Sequence, residues 1–270
     1  MRSSISLHKK WLILISSIIA LLLIVSIITT YTNVSFKGEK ASKTQQETSS
    51  IKLKALIADG LYEDYPNMSL IEELKNILKA HGYSVSTVLG RNVTLDVFRN
   101  LTSYNIVILR LHGGASEVPT VIGKNVTFIG LFTGVPWDPI KYSDLKRRLL
   151  VTKGRPFLNP NKLYVAALPR FFLEEVEGRF PTYSIVIAAS CYSLRTVDIA
   201  YAMFQKGLMY YIGWGAPVTV EHMDKSLELL LKLVFEEGLT WVEAVEKVNQ
   251  ILGPDPTTSA RIHIAIPKAS

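Results

Sequence analysis

The sequence predicts an α/β domain with a parallel, doubly wound sheet, preceded by one transmembrane helix. Three observations lead to this prediction. An uninterrupted run of apolar residues and serines occupies positions 11–28. Beyond residue 50, strand-like and helix-like segments alternate, a succession typical of parallel sheets with right-handed crossovers. Two of the strand-like segments, residues 106–111 and Ile185–Ala189, are rich in apolar, β-branched residues, as expected of strands buried on both faces of such a sheet.

The composition limits the classes of function that need consideration. The chain has 270 residues, enough for a membrane anchor and one domain of ordinary size. Its net charge is +7, but residues 1–50 contribute +4 of this, which leaves +3 for the other 220 residues. Because the basic residues are concentrated around the apolar run, we do not expect a nucleic-acid partner. A single cysteine excludes an intrachain disulfide.

The first fifty residues predict a membrane attachment. Residues 1–10 form a short basic tail, expected in the cytoplasm, and residues 11–31 form a transmembrane signal anchor. A spanning helix needs roughly 20 mostly apolar residues. A cleaved signal peptide is the alternative, but its apolar region normally covers only ~7–15 residues and ends in a small-x-small site, which residues 28–32 match poorly. Residues 32–50, rich in Ser, Thr, Lys and Gln, predict a flexible linker.

Asn-x-Ser/Thr sequons occur only after the apolar run. Such sequons are glycan acceptors on a translocated surface, so they favour a single-pass protein of the cell membrane with its domain outside. The alternative is that they arise by chance from a preference for Val-Thr in strands. The five candidate glycosylation sites are Asn33, Asn67, Asn92, Asn100 and Asn125.

The globular domain, residues 51–270, begins with a regular alternation of elements. Strands are expected at residues 53–58, 83–89 and 106–111, with a short helix at 94–101. Residues 68–81 carry apolar residues at helical spacing and stop before Gly82, which predicts a longer helix.

The middle of the domain is less regular and carries an insertion. We expect a hairpin at residues 118–133 turning near Gly123, a short basic helix at 142–150, a strand at 162–167 and a helix at 171–176. Long irregular insertions between core strands often carry binding function.

The last third returns to regular elements. A helix is expected at residues 196–204 and a strand at 207–214. Long helices follow at 219–238 and 240–252, the second with Thr240 and Glu243 as a capping box, and a last strand at 261–267.

Two predicted strands end on residues that can do chemistry. Cys191, the only cysteine, follows Ile185–Ala189, and His112 with two glycines follows residues 106–111. In open α/β sheets, ligands bind at the carboxyl ends of the strands. A thiol and an imidazole at one such edge form a potential nucleophile and base. The alternatives are an ordinary buried thiol and a tight turn after a strand.

These motifs resemble the hallmark of the clan CD cysteine peptidases, which include caspases, legumains, gingipains and the bacterial CHAT proteases. In that family an apolar strand ending in His-Gly precedes an apolar strand ending in Cys. Here the motifs read Ile-Val-Ile-Leu-Arg-Leu-His112-Gly113-Gly114 and Ile-Val-Ile-Ala-Ala-Ser-Cys191. The resemblance covers about residues 53–252, including a family-like strand at 210–217, and departs from the family at Ser190, where Ala or Gly is usual.

The resemblance implies a caspase-like fold, with helices on both faces of the sheet, and a cysteine endopeptidase. It implies that Cys191 is the nucleophile, that His112 is the general acid/base, and that the backbone N–H groups of Gly113 and Cys191 form the oxyanion hole. The partner would be a peptide or protein substrate, and no cofactor is expected. No set of His, Cys, Asp and Glu shows zinc-like spacing, so no metal is expected either.

Four residues are candidates for the substrate pocket or for orienting the histidine. Asp59 ends the first strand and would lie near His112 in a sheet of order 2-1-3-4; it would orient the imidazole, give the pocket a negative charge, or simply form the turn before Gly60. Glu221 and Asp224 are the other acidic candidates. Trp214 would either line an apolar pocket or pack in the core.

Two other classes of protein share parts of this pattern. Class I amidotransferases also use Cys and His, but their cysteine lies in a Gly-x-Cys-x-Gly elbow with the histidine later in the chain, unlike this sequence. The stronger alternative is a catalytically inactive caspase-like surface domain that binds a partner, for which the aromatic residues Tyr210, Tyr211 and Trp214 are suited.

Overall fold

A computed structural model describes residues 52–119, 125–157 and 159–267. The predicted tail, anchor and linker of residues 1–50 lie outside this part of the chain. Among the described residues, no helix combines the length and the apolar character needed to cross a bilayer.

The strands and helices follow one another in the alternation that the sequence predicts. The strands are β1 (Lys54–Asp59), β2 (Ser84–Leu89), β3 (Ile106–Arg110), β4 (Gly113–Pro119), β5 (Asn125–Pro136), β6 (Val151–Gly154), β7 (Tyr164–Ala167), β8 (Ile185–Ala189), β9 (Tyr210–Trp214) and β10 (Ile262–Ala265). The helices are α1 (Met68–Ala80), α2 (Leu95–Arg99), α3 (Ser143–Arg147), α4 (Pro169–Glu174), α5 (Asp198–Gln205), α6 (Val220–Phe235) and α7 (Trp241–Leu252).

Six strands form the central sheet in the order β2-β1-β3-β8-β9-β10. The first five run parallel, and β10 pairs antiparallel with β9. The prediction of an α/β domain with a mostly parallel sheet is therefore confirmed, with one antiparallel edge strand added.

Helices cover both faces of this sheet because every second residue of the buried strands points to the same side. Ile57, Ile108 and Ile187 pack in one cluster with the apolar residues of α1, α6 and α7. Leu56, Val107 and Val186 pack in a second cluster with those of α2, α4 and α5. The β-branched runs read from the sequence are thus the central layer of three.

Local signals fix the ends of the helices. Asn67 caps α1 by accepting a hydrogen bond from the Leu70 N–H. The predicted capping box of α7 is confirmed: Thr240 accepts from the Glu243 N–H, and the Glu243 carboxylate accepts from the Thr240 N–H. Helix α6 begins after Thr219, as expected, but ends at Phe235 rather than at Gly238.

A second, smaller sheet was not predicted as such. It has the order β4-β5-β7-β6 and is antiparallel throughout. The expected hairpin is present but starts at Gly113, directly after His112, and not at residue 118. Its expected turn near Gly123 lies outside the described residues. Ile129, Leu131 and Val165 join the same apolar cluster as α4, so the small sheet shares the core of the domain.

Candidate functional site

His112 and Cys191 lie at the same edge of the central sheet. Strands β3 and β8 are parallel neighbours, and their register ends with Arg110 opposite Ala189. Each candidate residue follows two positions later. The Leu111 N–H donates to the Ala189 carbonyl at 2.9 Å, which extends the pairing toward both residues. Nearly eighty positions apart in sequence, the two residues leave adjacent strand ends on the side where such sheets bind ligands.

Gly113 brings its backbone against the residues around the thiol. A Cβ at this position would lie 2.1 Å from the Ser190 Oγ and 2.4 Å from the Cys191 carbonyl oxygen, distances that no side chain tolerates. Ser190, where the sequence departs from the family pattern, is fully buried. Glycine is therefore required here for close approach of two backbones.

The hairpin leaves the Gly113 N–H unpaired with β5. The Phe132 N–H donates to the His112 carbonyl at 2.9 Å, so His112 and Phe132 form a hydrogen-bonded pair, and the next pair, Gly113 with Leu131, is of the non-hydrogen-bonded kind. This donor is therefore left outside the pairing of β4 with β5.

A carboxylate that the sequence analysis missed holds the imidazole. His112 Nε2 lies 3.0 Å from Asp64 Oδ2, and Asp64 also accepts hydrogen bonds from the Tyr164 hydroxyl at 2.7 Å and from Lys162. Burial opposes the negative charge of Asp64, but the bonds from Lys162, Tyr164 and His112 lower its pKa to about 2. An ionised carboxylate only accepts, so Nε2 carries the proton of the neutral ring and Nδ1 is left as the basic nitrogen.

Aromatic rings surround the imidazole and restrict its orientation. The ring centroids of Tyr65, Phe132 and Tyr164 lie 6.1, 6.4 and 5.7 Å from that of His112. Burial lowers the pKa of His112, although Asp64 opposes this shift. The ring is therefore neutral near pH 7, as a general base must be before it accepts a proton.

The thiol is half-buried and bound to backbone. Cys191 Sγ lies 3.4 Å from the Val218 nitrogen and 3.5 Å from its carbonyl oxygen, close enough for weak hydrogen bonds with both. Burial raises the pKa of Cys191, so the sulfur is a protonated thiol at neutral pH. Within the described residues, the hydrogen bonds of the thiol and of the imidazole do not join the two side chains to each other.

The segment that contacts the thiol is itself fixed. Thr219 donates its N–H and its hydroxyl to the buried Asp255 carboxylate, both at 2.7 Å. Burial opposes the charge of Asp255, but these bonds and those from the Thr257 and Thr258 N–H groups lower its pKa to about 2. On the other side, Tyr192 has a φ of 60°, a left-handed conformation that is uncommon for a bulky residue and occurs often near functional sites.

Asp59 does not contact His112, contrary to one of the roles expected for it. It is fully buried, and both of its oxygens accept hydrogen bonds from Arg110, at 2.9 and 3.0 Å. Arg110 also donates to both oxygens of Asp224, at 2.7 and 2.9 Å, and to the Tyr65 carbonyl at 3.0 Å. The two acidic candidates therefore neutralise a buried guanidinium, and Asp64 takes the orienting position.

The remaining pocket candidates lie away from the thiol and imidazole contacts. Trp214 has no exposed surface and packs in the core, so the structure favours the packing role over a pocket wall. Glu221 is exposed on α6 and pairs with Lys225 at 2.7 Å. Its position on the solvent side gives it no contact with His112 or Cys191 in the described residues.

The sequons differ in exposure. Asn92 and Asn100 are exposed. Asn67 is half-buried, caps α1 and donates to the Asp224 carboxylate at 2.9 Å, so a glycan there would compete with packed surroundings. Asn33 and the side chain of Asn125 lie outside the described part of the chain.

One signal in the sequence pointed to the buried charges. Arg110 interrupts an apolar strand, and an arginine in such a strand requires carboxylate partners when it is buried. Asp64, by contrast, lies in a polar loop, and only the fold brings it to His112. Among the described residues, no group of three or more His, Cys, Asp and Glu side chains is placed to bind a metal ion.

Comparison of the chain with protein-family models gave no match, and comparison with curated proteins gave none either.

Proposed function

We propose that the domain has the caspase-like fold and is a cysteine endopeptidase that uses Cys191 and His112. The observation that carries the proposal is the position of the two residues, each two positions beyond the last pair of the neighbouring strands β3 and β8. The sheet order, with His112 after the third strand and Cys191 after the next strand of the central sheet, is consistent with the family resemblance.

The surroundings supply the other groups that the reaction needs. Asp64 orients the imidazole and stabilises the imidazolium that forms when the ring accepts a proton. The backbone of Gly113 packs closely against Ser190 and Cys191, and the N–H groups of Gly113 and Cys191 are the candidate donors for an oxyanion. These are the parts of an acyl-transfer site.

The chemistry follows from these roles. Nδ1 of His112 takes the thiol proton as Sγ attacks the carbonyl carbon of the peptide bond, and the carbonyl electrons move to an oxygen stabilised by the two N–H groups. The imidazolium then gives its proton to the departing amine, leaving a thioester on Cys191. Water, deprotonated by His112, hydrolyses the thioester and restores the thiol.

The test uses a peptidyl chloromethyl ketone probe, which alkylates activated thiols with loss of chloride. We expect labelling of the native chain and its loss in His112→Ala and in Cys191→Ala. His263→Ala, which removes an exposed histidine of β10, is the matched control and should label like the wild type. A panel of fluorogenic peptides that differ before the cleaved bond would then define specificity. Equal labelling of wild type and His112→Ala would reject the dyad.

A second candidate function is favoured by a specific observation. The thiol is bound to the Val218 backbone, burial raises its pKa, and in the described residues it shares no hydrogen bond with His112. A catalytically inactive surface domain that binds a partner would keep this arrangement. Absence of cleavage of every peptide, together with labelling that is indifferent to His112, would favour this alternative.

The location of the domain is part of the proposal. The apolar run at residues 11–31 supports a single membrane anchor, and the sequons support a domain on the outer side of the cell membrane. Glycosidase treatment of the expressed chain, compared between wild type and Asn92→Gln/Asn100→Gln, tests the topology. A shift in mass that these exposed sites account for supports an outside domain.

A further inference from the structure

A strongly basic segment of the chain lies between β5 and β7. Residues 138–162 contain seven Lys and Arg against two Asp, a net charge of +5. Residues 51–270 as a whole carry only +3, so the rest of the domain is slightly acidic. The cations are Lys141, Lys146, Arg147, Arg148, Lys153, Arg155 and Lys162.

This basic segment lies along one edge of the small sheet. It leaves the sheet at Trp137, whose N–H donates to the Leu163 carbonyl at 2.8 Å. It returns as the edge strand β6, where Gly154 pairs with Tyr164, one residue from Leu163. Tyr142 and Leu150 are buried and anchor it to the core. Its polar and charged side chains are therefore displayed together on the outside.

Four of the cations are not compensated. Three of the seven form ion pairs: Arg147 with Asp144, Arg148 with Glu174 and Glu175, and Lys162 with Asp64. The other four are exposed and have no ion-pair partner among the described residues. These four are Lys141, Lys146, Lys153 and Arg155.

Large apolar side chains project among these cations. Ile140, Leu149 and Phe157 are 85%, 59% and 95% exposed. Leu149 has a φ of 58°, a left-handed conformation at a helix end where glycine is the usual residue. Exposed apolar residues interleaved with Lys and Arg are the composition of surfaces that lie in the headgroup region of anionic bilayers.

We propose that residues 140–157, here called the basic face, dock on an anionic lipid surface. An acidic protein surface would attract the positive charge equally well. It would not account for the exposed side chains of Ile140 and Phe157, whereas a bilayer buries such side chains. The proposal does not depend on the peptidase chemistry.

The test compares the full chain in two kinds of nanodisc, phosphatidylcholine alone and phosphatidylcholine with about 30% phosphatidylglycerol. Hydrogen exchange of the peptide that covers residues 138–157 should slow several-fold in the anionic discs, and salt at about 0.5 M should reverse only part of the effect, because it screens surface charge but not the burial of apolar side chains.

Matched variants separate the basic face from the rest of the surface. Lys141→Glu/Lys153→Glu should abolish the protection, since each charge near a membrane contributes about a fivefold factor in binding. Lys79→Glu/Lys247→Glu, which alters two exposed lysines on α1 and α7, should not. Ile140→Ser/Phe157→Ser should make the remaining protection fully reversible by salt. Equal exchange in both discs, or protection by polyglutamate without any response to anionic lipid, would overturn the proposal.

Discussion

Replacing Arg110 by methionine removes the cation on which two buried carboxylates depend. Asp59 is fully buried and its only cationic partner in the described structure is Arg110, while Asp224 is nearly buried and receives two of its hydrogen bonds from the same guanidinium. Removing one partner of a buried ion pair costs about 3–5 kcal/mol. Against a usual domain stability of about 5–15 kcal/mol, this loss is large, and it corresponds to a fall in Tm of roughly 6–20 °C for a domain of this size.

The loss should also depend on pH in a defined direction. Burial already raises the pKa of Asp59 although Arg110 opposes the shift, and without the guanidinium the pKa should rise further. A carboxyl whose folded pKa exceeds its unfolded pKa binds more protons in the folded state, so stability increases as pH falls. The deficit of Arg110→Met should therefore shrink between pH 7 and pH 5, by at most about 1.4 kcal/mol per pH unit.

Urea unfolding of the full chain in detergent, followed by circular dichroism at pH 7 and pH 5, measures both effects. Arg147→Met is the matched control, because Arg147 is exposed and its pair with Asp144 should contribute no more than about 0.5 kcal/mol. Adding Asp59→Asn and Asp224→Asn to Arg110→Met should recover part of the stability. A loss below about 1 kcal/mol, or a deficit that does not change with pH, would refute the reasoning.

Three further predictions concern the site and one helix end. In Asp64→Asn, probe labelling of Cys191 should fall at least about tenfold, because the imidazolium loses its carboxylate. The stability deficit relative to wild type should grow below about pH 6.5, because Asp64 no longer opposes the lowering of the His112 pKa by burial. The deficit should then shrink between about pH 4 and 2, since the pKa of Asp64 is lowered to about 2 and its contribution is lost as pH falls through that value. Gly113→Ala should abolish labelling and lower the free energy of unfolding in urea by about 1–3 kcal/mol. Adding Ser190→Gly to this variant should restore only part of the labelling and stability, because the Cys191 carbonyl still lies 2.4 Å from the new Cβ. Full rescue by Ser190→Gly would contradict this reasoning. Thr240→Ala should lower stability by about 1 kcal/mol without changing labelling, and a larger loss would mean that the capping box has another role.

The central sheet could be predicted because its signals are local. The apolar run of β8 was placed at its observed bounds, Ile185–Ala189, and β1 and β3 within a residue or two, since strands buried on both faces cannot tolerate polar residues in most positions. The antiparallel direction of β10 could not be predicted, because a short strand of mixed polarity carries no signal of direction.

The small sheet and the partner of His112 depend on contacts that are distant in sequence. Strand β6 has only four residues, Val-Thr-Lys-Gly, too few for a periodic pattern. Asp64 is 48 positions before His112 and 100 before Tyr164, and its loop resembles any solvated turn. From the sequence, Asp59 is the more obvious candidate for contacting His112 because it ends a strand, but its carboxylate pairs with the arginine in β3. The placement of His112 and Cys191 at neighbouring strand ends could be anticipated from the motifs, whereas the carboxylate beside His112 required the fold.

The reversed direction of β10 places its end at the same margin of the sheet as the start of β1, with three strands between them. Ala265 pairs with Tyr211 at the same margin of the sheet from which Lys54 starts, and His112 and Cys191 emerge at the other margin. A fluorescent reporter or affinity handle attached after the last strand would consequently project from the rear of the protein. Immobilisation through such a handle leaves the thiol side open to large polypeptides, which suits this chain to capture experiments that search for what it acts upon.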